Sequence, residues 1–337
     1  MRRLPRKRSN VATTLKACVL IMVFSVAVVA LLAVTGGSSL AASSCTGKQV
    51  YSGANLVNLA AAAPSGTTFC IHQGTYYVSQ PVKVQSGDRF MGVYSSFPRP
   101  TIKTSIAQQV LNASGSTGAI IQGLRIEGAV GDQSCQPYCG RGISGGTNLT
   151  VDDVRATNNK NQGIGGAGSG LLVKNSEIDY NGSSPFAQQT GRETAAGIKS
   201  VNPMSIQNSF IHDNYWAGVW CDRNCGTLRV ENNTIVGNGK AGIHTEISIG
   251  PQVISGNTIE GNGHFESWSL EAGVLISSVR DVEVYNNTFG GNLDHGVQVV
   301  DDGRWPVTGD VSVYGNAING DLLNGCLILA VSCPGNY

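Results

Sequence analysis

Charge is scarce in this 337-residue chain: Asp, Glu, Lys and Arg make up 13% of it, and the formal net charge is only +1. A nucleic-acid partner is excluded, because such binding needs a basic surplus that the chain lacks. Six of the 23 bases and none of the acids fall in the first 42 residues. These residues read as an export signal: MRRLPRKRSN, an apolar run from Ala17 to Val34, then small residues in SSLAASS that allow cleavage near Ala41 or Ala42. A run of that length can also stay in a bilayer as an anchor. Cleavage is the expected outcome, with no membrane contact afterwards. The leucine of a lipid-attachment box is missing before Cys45. Without the leader, 17 bases face 22 acids, a formal charge of −5. About 295 residues then remain, enough for one large domain with a substantial core.

The usual zinc spacings are also missing. Eight of the nine cysteines follow the leader, and an even count behind an export signal implies disulfides. They fall into sequence-local pairs, Cys45 with Cys70, Cys135 with Cys139, Cys221 with Cys225 and Cys326 with Cys333. Zinc on Cys221, Cys225 and His244 is the sharper alternative to one of those bridges, and the spacing disfavours it.

What the chain has in quantity is glycine, 44 residues, together with many asparagines. That composition suits tight turns between short strands rather than helices. The stretches MSIQNSFIHDNYWAGVWC from 204, LRVENNTIVGNGKAGIHT from 228 and VEVYNNTFGGNLDHGVQV from 282 follow one template, V-x-N-N-x-I-x-x-N, a short gap, then G-[IV]-x-x. Its leading aliphatics are Val151, Val173, Ile206, Val230, Ile254, Val284 and Val313, spaced 22, 33, 24, 24, 30 and 29 apart. A unit of about 24 residues with two or three short strands cannot bury its apolar side chains alone, so the units must stack into a solenoid. Asn159, Asn181, Asn214, Asn238, Asn262 and Asn292 share one template position, with Asp321 in the last unit. Stacked at strand spacing, they are expected to hydrogen-bond along a ladder inside a turn.

These repeats resemble those of the pectate-lyase-like right-handed parallel β-helix superfamily over about residues 105 to 330. The front end, with ANLVNLAAAAPSGTTFC and QGTYYV, is similar to the helix and first strand that cap many polysaccharide-acting members. The resemblance implies an all-β chain, a right-handed parallel β-helix of about nine coils with a short N-terminal capping helix. Residues 43–104 would form the cap and first coils, and 105–337 the repeats. The superfamily holds polysaccharide lyases, glycoside hydrolases, epimerases and non-catalytic surface proteins, so the motif specifies fold better than reaction.

Side chains alternate across a strand, so the residue after the inward aliphatic of G-[IV] faces outward. Aligned on that glycine, one outward column reads Ser144, Gly165, Lys199, Trp220, His244, Leu275, Gln298, Leu327. A second reads Gly146, Ala167, Val201, Asp222, Glu246, Ser277, Val300. Rungs about 4.8 Å apart then gather Lys199, Asp222, His244 and Glu246 around Trp220. A solvated sheet surface can carry scattered charge, yet convergence of this kind favours a catalytic set. Trp220, Arg223, Gln298, Trp268 and Glu193 are the candidate substrate-binding residues, and Tyr215 and Trp216 are further aromatics able to stack on sugars. Insertions at 182–196 and 263–271 direct Arg192, Glu193, His264, Glu266 and Glu271 towards the same side, as walls of a groove. VVDDGRW adds Asp301, Asp302 and Arg304 at a strand end.

Two enzyme mechanisms fit. In hydrolysis, Asp222 and Glu246 divide into general acid and general base or nucleophile. In a lyase acting on a uronate polymer, Lys199 or His244 abstracts the proton beside the carboxylate, while Arg223, or Ca²⁺ held by Asp222, Glu246, Asp301 and Asp302, neutralises it. No metal is otherwise implied. The paired-Asp motifs of β-helix polygalacturonases and the Arg signature of the main pectate lyases are both missing, so neither substrate nor reaction carries over from the resemblance. The expected protein is a secreted, extracellular monomer whose partner is a polysaccharide. The competing class is a glycan-binding surface protein without catalysis.

Overall fold

Each repeat of the template becomes one coil of a right-handed parallel β-helix, and the interior explains the template letter by letter. The computed structural model describes residues 44–131, 139–166, 168–182, 194–263, 271–293, 295–321, 323–324 and 331–332, all within one compact unit, Ser39–Tyr337. The leader, Cys135, Cys326, Cys333 and most of both insertions lie outside the described residues. Among the described residues, no helix is long and apolar enough to cross a membrane.

Among the described residues the coils build three faces, and their strands stack in parallel. The first face includes Gln162–Gly166, Ala196–Ser200 and Ala217–Cys221. The second includes Leu171–Lys174, Met204–Gln207 and Leu228–Glu231. The third is a ten-stranded sheet from Thr75–Tyr77 to Ala317–Asn319, one rung more than the expected nine. Two long strands, Ile243–Ser255 and Ala272–Tyr285, run through both first and second faces and join them into one 20-stranded sheet. The register between them shifts at Ile249/Gln252 as the chain turns the corner. The helix Leu56–Ala62 caps the first coils, its amide at Asn58 donating to the Asn55 side chain at 3.0 Å.

The template aliphatics fill the lumen: Val230, Ile235 and Ile243, one from each face of a coil, are fully buried. The first Asn of N-N takes the left-handed conformation that bends the chain from second to third face, as at Asn232 (φ 58°) and Asn286 (φ 55°). The second turns inward, so that Asn233, Asn257, Asn287 and Asn316 form a buried amide ladder with steps of 2.9 to 3.0 Å. The ladder expected from Asn159 through Asn292 to Asp321 is present at the next corner, each side-chain amide donating to the following carboxamide or carboxylate at 2.6 to 3.0 Å. It also accounts for the glycine of G-[IV]: a Cβ on Gly218 would lie 2.7 Å from the Gly242 carbonyl and 2.9 Å from the Asn238 amide.

Two of the local bridges are present, Cys45–Cys70 and Cys221–Cys225. Cys139 is disulfide-bonded as well. The Cys221–Cys225 bond excludes the zinc alternative.

Candidate functional site

The expected register holds through the patch. Gly165 pairs with Lys199, Lys199 with Trp220, Trp220 with His244, His244 with Leu275, and Leu275 with Gln298. At the next step it departs, because Gln298 pairs with Asn324 rather than Leu327.

Three side chains from successive coils form a stack. The Lys199 ammonium sits 3.1 Å from the centroid of the Trp220 ring, a cation–π contact. On the other face of the indole the His244 ring is stacked at 5.3 Å and 17°. The indole Nε1 donates to Glu246 Oε1 at 2.9 Å, and Glu246 Oε2 takes Arg304 Nη1 at 2.8 Å. Arg304 is anchored in turn by its Nε donating to Asp302 Oδ2 at 2.7 Å. Lys199 Nζ lies 2.9 Å from Asp222 Oδ2. Asp222 begins the turn closed by the Cys221–Cys225 bond, in which Arg223 (φ 42°) and Asn224 (φ 57°) are both left-handed. That turn holds Arg223 out to solvent next to Asp222.

The electrostatics follow from this packing. Burial is the largest effect on His244 and, reinforced by the positive charge of Lys199, pushes its pKa down to about 3. Burial also lowers Lys199, against the opposing pull of Asp222. For Asp302, burial acts upward, but the bonds from Arg304 and Ser278 prevail and bring it to about 2. At neutral pH the face therefore presents an uncharged imidazole between two ion-paired cations, Lys199 on Asp222 and Arg304 on Glu246 and Asp302.

Several expectations change. Much of the two outward columns is covered rather than solvent-facing: Trp220 is 4% exposed, Glu246 7%, Gln298 8% and Leu275 1%, while Lys199, Asp222 and His244 are half-buried. Both faces of Trp220 are taken, so it positions His244 and offers no platform to a sugar. Trp216 is likewise buried, against Tyr215 and Lys240. Asp222 and Glu246 are not an acid–base pair facing each other, since each is committed to its own cation. Gln298 is two rungs from His244 with Leu275 between, so it does not join the cluster. Glu271 walls no groove; it is buried 3.4 Å from Lys240. Trp268, Glu193, Arg192, His264 and Glu266 lie outside the described residues. The proposed Ca²⁺ ligands Asp222, Glu246, Asp301 and Asp302 form no group of metal-ligating spacing among the described residues, and cations already occupy three of them. They do not fit that ion.

Sequence reasoning noticed Arg304 without seeing that it reaches Glu246 from two coils away. It missed Trp305, 71% exposed beside it. The only available signal was an aromatic next to a cation in VVDDGRW.

Comparison with known proteins agrees with the fold. The family model for a right-handed beta helix region matches residues 101–249, and no curated protein matches the chain. Among solved structures, PfbA, a surface adhesin of Streptococcus pneumoniae, is similar at 16% identity over 80% of this chain and 75% of that one, with a TM-score of 0.55. The catalytic unit of the GH87 alpha-1,3-glucanase from Streptomyces thermodiastaticus is similar at 15% identity over 83% of this chain and 60% of that one, also with a TM-score of 0.55. At such identities the likeness defines the fold alone. The chain is a right-handed parallel β-helix protein, as the resemblance of its repeats implies.

Proposed function

We propose that the first face acts on an extracellular acidic polysaccharide by proton abstraction, the chemistry of a lyase or an epimerase. The observation that carries this reading is His244, a neutral imidazole held by Trp220 among the cations Lys199 and Arg304. A neutral imidazole is the form that accepts a proton, and the exposed guanidinium of Arg223 supplies positive charge for the carboxylate beside which the new charge develops. The exposed Arg223 takes the uronate carboxylate, and Trp305 offers the sugar an apolar face. His244 takes the proton from the carbon bearing the carboxylate. The electron pair left there either forms a double bond while the glycosidic oxygen departs and takes a proton from water, or accepts a proton from water on the opposite face. Hydrolysis fits less well, because neither Asp222 nor Glu246 is free of a cation. Secretion is supported by the two local disulfides.

The second reading, glycan binding without turnover, is favoured by one observation: Lys199 with Asp222 and Glu246 with Arg304 are already mutually satisfied. A screen of acidic and neutral polysaccharides separates the alternatives, scored by ultraviolet absorbance of unsaturated ends, by reducing sugar, and by NMR of sugar configuration. Unsaturated ends or inverted configuration on a uronate polymer is the expected result. Reducing sugar without unsaturation would replace the proposal with hydrolysis, and binding without any product would replace it with the non-catalytic reading.

A further inference from the structure

The third face carries a second constellation that the proposed function does not use. Glu177 and Asp179 lie on one strand, and His212 on the next, with Asp179 and His212 paired in register. One ligand atom from each of the three lies within 4.8 Å of the others. His212 is 8% exposed, with its ring fixed between Phe210, stacked at 3.9 Å, and the edge of Tyr180. Its Nδ1 is 2.8 Å from Asp213 Oδ2. Its Nε2 is buried, makes no hydrogen bond among the described residues, and points at Glu177 Oε1 3.5 Å away. A histidine that donates through one nitrogen to a carboxylate, leaving the other facing Glu177 with Asp179 within 4.8 Å, has the arrangement that orients metal-ligating imidazoles.

We propose that Glu177, Asp179 and His212 Nε2 form a binding site for a divalent transition ion of the Zn²⁺ type, tying two adjacent coils together. Drawing the three atoms onto bonds of about 2.0–2.1 Å asks each to move inward by about an ångström at most. The nitrogen ligand favours Zn²⁺ over Ca²⁺ or Mg²⁺, which take oxygen. The local charge agrees. Glu177, Asp179 and Asp213 share one ion-paired cation, Arg155, whose Nη2 is 2.6 Å from Asp179 Oδ2 and whose Nε is 3.4 Å from Glu177 Oε1. Two negative charges are left over, which a divalent ion balances and a proton on His212 does not. Arg155 forks onto both oxygens of Asp179, at 2.6 and 3.2 Å, and a carboxylate keeps further lone pairs beyond those. Glu177 is 30% exposed at its side chain, which gives an ion its entry and leaves a fourth position for water.

The test uses the full chain stripped with EDTA, titrated with Zn²⁺ by calorimetry and with Co²⁺ by visible spectroscopy. One saturable Zn²⁺ site and the ligand-field bands of four-coordinate Co²⁺ are expected. His212→Gln and, as a partly exposed position tolerant of change, Glu177→Gln should each weaken binding by about tenfold or more, while His244→Gln on the other face should bind Zn²⁺ as the wild type does. The proposal is overturned by a wild type without saturable Zn²⁺ binding, by a site that survives both third-face substitutions, by one lost with His244→Gln, or by equal affinity for Ca²⁺.

Discussion

His244 and His212 both point away from the lumen, on different faces of the same solenoid, and the surroundings drive their protonation in opposite directions. Both are desolvated, which disfavours charge. At His244 the nearest strong influence is the Lys199 ammonium, so the imidazole stays neutral down to about pH 3. At His212 burial is outweighed by Glu177 and Asp213, and the pKa lies above the ordinary 6.5. One backbone thus supports a neutral base among cations on its first face and a cation-seeking cluster on its third. The difference lies in single neighbouring residues, Lys199 and Trp220 against Asp179 and Phe210, and not in the coil that presents them.

The largest effect that would sharpen this contrast is on activity. With the uronate polymer found by the screen, His244→Gln should lower turnover by about 10² or more, the scale of a positioned base. Glu260→Gln, an exposed third-face residue in the same column as His212, should stay within about twofold. Equal losses in initial-rate assays would break the comparison.

A smaller effect concerns stability. Glu246→Ala leaves the buried Trp220 Nε1 without its acceptor, at a cost of about 1–3 kcal/mol. Glu177→Ala acts on a partly exposed group and should cost within about 1 kcal/mol. Urea denaturation midpoints compare the two directly.

The smallest effect is on how stability depends on pH. An unfolded chain takes up a proton at His244 near the ordinary value of 6.5, and the folded protein does so only near 3. That contribution is therefore complete above 6.5 and is lost as the pH falls between those values. For metal-free His212 the folded pKa is raised, so its contribution is complete below 6.5 and fades as the pH rises through the folded value. His244→Gln should flatten the acid-side loss in thermal melts and leave the neutral-side loss in place.

The fold was legible because the repeat writes the interior directly: V, I and G-[IV] name the lumen positions, and the last Asn of each unit names a ladder. The second ladder was present in the same N-N letters but needed the turn geometry, a left-handed first Asn with the next side chain turned inward. The first-face patch was legible because register follows from counting along strands, which brought Lys199, Trp220 and His244 together. Counting does not tell what covers a face. Trp220 and Glu246 were expected to meet solvent, and instead they are buried by their own neighbours and by Arg304 from two coils away. The third-face cluster stands in the adjacent rows EIDY and FIHD, but neither row carries the glycine that aligns the outward columns, so counting from that glycine does not reach it.

The account turns on a neutral His244, and imidazole NMR of the metal-free protein, titrated from pH 8 to pH 4, measures that directly. Assigned with His244→Gln and His212→Gln, the His244 ring nitrogens should keep the shifts of a neutral ring across the whole range, while His212 should change from neutral to protonated above pH 6.5. A His244 that titrates near 6.5 would contradict the account, leaving the first face an ordinary charged surface.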